Sequence, residues 1–148
     1  MRNEGEWVLA SWERAGFPVS IRMATAFWEH GSVPGYDHRV TVGIELRDPN
    51  ASGQPGPEEW DDLEAAELDV CKSLEAGNES LCVLVITGNG LRDIMFYVRD
   101  PEEAKVRVNR LVDVVNTHKL QVAIEPESNW RIYRFFSDKL KPNDKKPN

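Results

Sequence analysis

The sequence predicts one α+β domain on a split βαβ, ferredoxin-like core, with two extra N-terminal strands, a mainly antiparallel sheet and two helices on one face. Three observations carry this expectation. Between residues 39 and 125 the hydrophobic pattern changes period in the order strand, helix, strand, strand, helix, strand. A chain of 148 residues has the ordinary size of a single domain and can bury about 70% of its unfolded surface, so it needs no disulfide or metal staple. A composition of 41% hydrophobic and 29% charged residues excludes a disordered chain, and no run of eighteen apolar residues offers a membrane span.

Residues 6–13 and 18–25 read as the two extra strands, joined as a hairpin through the turn-rich Arg14-Ala15-Gly16-Phe17-Pro18. In the second, Val19, Ile21 and Met23 alternate with Ser20, Arg22 and Ala24, the period of a sheet with one buried face. Residues 29–37 hold two glycines and a proline and form a loop. The clearest strand follows, where Val40, Val42, Ile44 and Leu46 alternate with Arg39, Thr41, Gly43 and Glu45. Residues 48–57 then make a mobile loop, and Pro57 suits the first turn of a helix, where its missing N–H would have no partner.

That helix is expected over residues 57–76, with acidic residues at its N-terminus, where the macrodipole favours anions. Trp60, Leu63, Ala66, Val70, Cys71 and Leu74 recur at helical spacing as its buried stripe, and Gly77-Asn78 ends it. Leu81 to Ile86 has no polar position, which marks a strand covered on both faces and interior to its sheet. Asn89-Gly90 favours a tight hairpin into a return strand, Leu91 to Arg99. Asp100 is placed as N-cap and Pro101 at the first position of a second helix that ends near His118, with Ala104, Val108, Leu111, Val112 and Val115 inward. Leu120, Val122 and Ile124 define a last strand, and Trp130 to Phe136 a short aromatic closing element. The domain is expected to occupy residues 1–138, leaving 139–148 as a flexible polar tail.

The net charge of −7 is concentrated in one place: Glu58 to Glu79 holds nine acids against Lys72. Such a segment repels a polyanion, so nucleic acid is disfavoured and a protein with a basic surface is the expected partner. The candidate docking residues are Glu58, Glu59, Asp61, Asp62, Glu64 and Asp69. The N-terminus carries no signal-peptide pattern, which points to the cytoplasm. There Cys71 and Cys82, each set in apolar pattern, are expected to be reduced and buried.

No motif carries a catalytic or cofactor signature. Gly88-Asn89-Gly90 begins like a dinucleotide fingerprint but lacks the third glycine and leads into a strand, so a tight turn is the better reading. His30 and His38 have no third ligand at a metal-site spacing, and His118, at a helix C-terminus, is expected to meet the last carbonyls. Phe96-Tyr97 on the return strand is the sole echo of base-stacking aromatics. No cofactor and no metal are therefore expected. A cleft lined by Arg92, Tyr97, Trp130 and Tyr133 is the alternative site, one that would suit a small-molecule-binding or hydrolytic enzyme.

Trp7-Val8-Leu9-Ala10, the run from Val83 to Tyr97, and Trp130-Arg131-Ile132-Tyr133 together resemble a bacterial family known as domain of unknown function 695. In the closing motif Ser128-Asn129 stands where that family pattern has Asp-Pro. The family is similar to the regulators of ribonuclease E activity (type B), and that likeness implies a ferredoxin-like fold and action by binding a protein. It implies no catalytic residues. A non-catalytic binding or regulatory module is accordingly the leading expectation, over an enzyme.

Overall fold

The computed structural model describes residues 5–142. Its strands are β1 (Trp7–Arg14), β2 (Phe17–Ala24), β3 (His38–Glu45), β4 (Ser80–Gly88), β5 (Leu91–Val98) and β6 (Leu120–Pro126). Its helices are α1 (Trp60–Glu75), entered through a 3-10 turn at Pro57–Glu59, α2 (Pro101–Val114) and α3 (Arg131–Leu140). The strands form one sheet in the order β1-β2-β4-β5-β3-β6, and every neighbouring pair is antiparallel. The fold is thus mixed α+β, with a six-stranded antiparallel sheet and three helices.

Local chemistry places the boundaries. Ala15 and Gly16, both at positive φ, close the β1–β2 hairpin, and Asn89 and Gly90 do the same for β4–β5, the combination a tight hairpin turn requires. Asp100 caps α2 by accepting from the backbone N–H groups of Glu102 and Glu103 at 3.0 and 3.2 Å, with Pro101 opening the helix. The loop after β3 does not project freely: Gly90 N–H donates to Gly53 O at 3.0 Å, and Gln54 Nε2 donates to Thr87 O at 3.0 Å. Gly53 is required there, because at φ +80° a Cβ would lie 2.6 Å from the Asn89 nitrogen.

The two faces of the sheet are covered by different layers, and the layers are offset. On one face α1 packs on β3 and β4, and α2 on β3 and β6, enclosing Val40, Val42, Ile44, Val85, Ile94 and Phe96. On the other, α3 and residues 27–36 cover β1, β2, β4 and β5, burying Ile21, Met23, Leu84, Ile86, Tyr97 and Trp130. Among the described residues, β4 and β5 place fully buried side chains in both cores. A register shift between Cys82 and Leu84 turns both Val83 and Leu84 toward the α3 side. This explains the unbroken apolar run of β4, the strand expected at the interior of the sheet.

Several expectations need correction. Trp60 does not belong to the buried stripe of α1; it is 55% exposed, and its Nε1 donates to Pro55 O at 3.3 Å. Val112 of α2 is likewise exposed, because α2 ends at Val114 and turns only Ala104, Val108 and Leu111 inward. The aromatic closing element is a complete helix, and Lys139 and Leu140 form its end instead of starting a tail. Residues 143–148 of the expected tail lie outside the described residues.

The largest correction concerns Glu59 and His118. Glu59 is not a surface carboxylate: it is 3% exposed and accepts from the backbone N–H groups of Arg47 and Asp48 at 2.9 and 3.2 Å. His118 is not engaged with helix carbonyls; its Nε2 lies 2.7 Å from Glu59 Oε2. A carboxylate can only accept, so Nε2 carries the hydrogen, and Nδ1 faces the Thr117 hydroxyl at 3.0 Å. Burial alone would raise the Glu59 carboxyl, but the Arg47 N–H, His118 and the Asp48 N–H outweigh it and hold the group below the usual carboxylate range. One buried anion therefore ties the start of α1 to the segment after β3 and to the α2–β6 connection.

Two expected outcomes follow from this arrangement. In hydrogen exchange, the β4 amides from Cys82 to Ile86 should be among the slowest in the protein, since both faces of that strand are dry; fast exchange there would contradict the two-core description. Glu59→Gln should lower the stability measured by urea denaturation at neutral pH by about 1–3 kcal/mol, the usual penalty for poorly satisfied buried polar groups. Because the folded-state carboxyl sits below its unfolded value, its contribution is complete above the ordinary carboxylate range and disappears as pH falls through the folded value. Wild type and variant should therefore converge on acidification, and a gap that stays constant would refute the ionised carboxylate as its source.

Candidate functional site

Helix α1 distributes its acids over two faces. Leu63, Ala66, Val70, Cys71 and Leu74 face the core, and Glu67 and Glu75 are buried with them. On the outer face Trp60, Glu64 and Leu68 follow one another at four-residue spacing, a continuous stripe on a helix surface. Leu68 is 41% exposed, so this acidic face carries an aromatic and an aliphatic group open to solvent. Of the expected docking residues, Glu58, Asp61 and Glu64 are exposed, whereas Asp62 and Asp69 are partly covered. Asp62 pairs with Arg47 at 3.0 Å in an exposed contact worth at most about 1 kcal/mol. Glu59 lies inside the protein and leaves this set.

Glu67 makes a second constellation. Arg22 Nη2 of β2 and Arg92 Nη1 of β5 donate to the same oxygen, Glu67 Oε1, at 2.7 and 2.8 Å, while Arg92 Nε donates to the Thr87 hydroxyl at 2.9 Å. Arg22 stands opposite Val85 and Arg92 opposite Thr87, so the two arginines are diagonal neighbours across β4 on its α1 side. Burial alone would raise the Glu67 carboxyl, but the hydrogen bond and charge of Arg22, joined by those of Arg92, bring it below the ordinary range. Arg92 moves down from its usual value, because burial outweighs the attraction of Glu67 and Arg22 adds repulsion. Arg22, Arg92 and Thr87 floor an open hollow of about 440 Å³ whose walls include Leu9, Ser11, Ser20 and Val85.

The cleft expected from Arg92, Tyr97, Trp130 and Tyr133 does not exist as one site. The sheet separates Arg92 from the other three, since alternate residues of β5 point to opposite faces. Tyr97, Trp130 and Tyr133 are fully buried and fill the α3 core. The Trp130 ring stacks on Tyr97 at 4.2 Å and meets Tyr133 edge-on at 5.6 Å, and its Nε1 donates to Tyr36 O at 2.8 Å. Tyr97 donates its hydroxyl to Glu127 Oε2 at 2.5 Å, and that oxygen also accepts from Ile132 N–H at 2.9 Å. Burial first and Glu127 second push the Tyr97 hydroxyl far up, so it serves as a donor and not as an acid. This cluster is a packed plug that orients α3.

Cys71 and Cys82 are free thiols and both are buried. The Cys82 thiol is pushed well up, by its hydrogen bond with Cys71 first and by burial second, which keeps it in its unreactive protonated form. Among the described residues no group of three His, Cys, Asp or Glu side chains is placed to hold a metal, and no helix is long and apolar enough to cross a membrane.

Sequence reasoning missed Arg22 and Glu67 as site residues. Arg22 read as the solvent face of an alternating strand and Glu67 as one acid among nine. One signal was available: Glu67 follows Leu63 by four residues and precedes Val70 and Leu74 at helical spacing, inside the apolar stripe. An acid there must find cations.

No curated protein and no solved structure matches the chain. The model of a family of unknown function (DUF695) matches residues 5–137, nearly the whole chain, and the chain therefore belongs to that family.

Proposed function

We propose that the chain is a non-catalytic protein-binding module that docks a basic amphipathic segment of a partner on the outer face of α1. The observation that carries this reading is the exposure of Trp60 and Leu68 within an acidic surface. Exposed tryptophans ringed by polar groups are the commonest anchors of protein interfaces, and Glu58, Asp61 and Glu64 supply the complementary charge for a lysine- or arginine-rich partner. The exposed acids also account for the segment's charge without any catalytic role, because exposed carboxylates lack the environments that would separate their pKa values. We further propose that β3 to β6 with α1 and α2 form a split βαβ, ferredoxin-like unit. The order β4-β5-β3-β6, with both crossovers carrying a helix on the same face, supports it. A relation of the family to the regulators of ribonuclease E activity, which act by binding a protein, would accord with this reading.

Affinity capture from the source cells at low and high salt, with wild type beside Trp60→Ala and the double variant Asp61→Lys with Glu64→Lys, tests the proposal. The variants should keep their stability to within about 0.5 kcal/mol, since the altered groups are exposed. Trp60→Ala should weaken retention of any specific partner about thirtyfold, the loss of a typical anchor, and the charge reversals should remove its salt dependence. Retention indifferent to all three substitutions and to salt would show that this face only solubilises the protein.

A further inference from the structure

We propose that the hollow floored by Arg22 and Arg92 is a binding site for a monocarboxylate bearing a short apolar tail. A guanidinium offers five N–H donors, and here two of them share a single carboxylate oxygen. Arg22 engages Glu67 through Nη2, and Arg92 engages Glu67 and Thr87 through Nη1 and Nε. Among the described residues, Arg22 Nε and Nη1 and Arg92 Nη2 donate to no protein acceptor. Holding Glu67 needs one arginine; the second leaves a positive charge beside the hollow. Arg92 is largely covered, with a side chain 14% exposed, so an arriving anion is met in a partly dehydrated place where a fork of N–H groups is effective.

The charge balance and the walls define the ligand. Glu67 is buried and neutralises one guanidinium, which leaves a local charge of about +1 at the floor, and the exposed Glu64 beside Arg22 reduces it in part through solvent. A monoanion completes that balance. A phosphate dianion would exceed it and would also face Glu67 and Glu64. Leu9, 77% exposed on β1, and Val85 supply apolar wall, and the hydroxyls of Ser11 and Ser20 lie along the same side, so a carboxylate on the arginines would lay its tail against β1. The hollow lies where α1 meets β2 at the Arg22–Glu67 pair and leaves Leu9, Ser11 and Ser20 exposed. It does not include Trp60, and of the docking face proposed above Glu64 and Leu68 lie beside Arg22.

A titration of the full chain followed by ¹H–¹⁵N NMR, reading the amides of Ser20, Arg22 and Thr87 and the arginine Nε signals, tests the proposal. The probes are hexanoate, its neutral analogue hexanamide, hexyl phosphate, and a short peptide ending in leucine with either a free carboxylate or an amide. Saturable shifts with hexanoate or the free-acid peptide, and not with the two amides, are expected; the tighter of the two carboxylates tells whether a small acid or a polypeptide C-terminus is the source. Arg22→Gln should weaken the carboxylate about tenfold or more, the usual consequence of losing a hydrogen bond to a charged group. Glu67→Gln should strengthen it, because the internal competitor for the guanidiniums is gone. Arg22→Lys keeps the charge without the fork, and should bind with intermediate affinity even if Arg22→Gln does not fold. Trp60→Ala should leave the shifts unchanged, so this site and the docking face can fail separately. Equal shifts from acid and amide, tighter binding of hexyl phosphate, the absence of any saturable shift, or full affinity in the Arg22 variants would each overturn the assignment.

Discussion

The structure depends on one constraint: β4 and β5 must be dry on both faces, while the strands flanking them need cover on only one. Two helices laid on one side reach from β6 to β4, and α3 with the segment before β3 covers the other side from β1 to β5. The overlap of these two layers is the pair of central strands. Because the layers are offset, each leaves an uncovered piece of sheet at its far end. On the α1 side that piece is the outer part of β1–β2, where Leu9, Ser11 and Ser20 are exposed beside the Arg22–Glu67 pair. The hollow is thus a consequence of how a six-stranded sheet is covered, and its chemistry is set by which residues the register brings to its floor.

The same constraint explains why an acidic helix can be a structural one. Three acids of this segment point inward, and two of them, Glu59 and Glu67, join elements that are distant in sequence. Glu59 joins the α1 start to the chain after β3 and to His118, and Glu67 joins α1 to β2 and β5. Removing one partner from such a buried pair leaves an uncompensated ion, so these contacts specify the arrangement more than they add to its stability. The outward acids carry no such obligation. Trp60 and Leu68 stand among them on the solvent side, and the proposed docking rests on these two groups.

On the opposite face the aromatic cluster solves a different problem. Helix α3 is only ten residues long and begins at Trp130, a bulky residue at φ 53°, a conformation that side chains other than glycine, asparagine and aspartate adopt reluctantly. The ring is held in that position by its stack on Tyr97 and by the bond to Tyr36 O, while Glu127 accepts from both Tyr97 and the first turn of the helix. A short helix of modest intrinsic stability is in this way positioned by side chains that belong to the loop before it and to β5.

Much of the fold was legible in the sequence, because strict alternation in β2 and β3, the unbroken apolar run of β4 and the Asp100-Pro101 start of α2 are local signals with local causes. Asn89-Gly90 was sufficient for its turn, and the pattern of Cys71 and Cys82 for their burial. The misreadings have one origin. Periodicity states which residues are apolar; it does not state which elements extend far enough to cover them, so Trp60 and Val112 were assigned to the core and α3 was not recognised as the second cover. Nor does a sequence show which strands become neighbours: Arg22 and Arg92 are seventy residues apart, and only the pairing of β2 and β5 on either side of β4 brings both guanidiniums to Glu67. The sequence by itself determined the elements, their amphipathic faces and the acidity of α1. The tertiary structure decided which acids are anchors and which are surface, because the cost of burying a charge is settled by partners that only chain pairing across the sheet can supply.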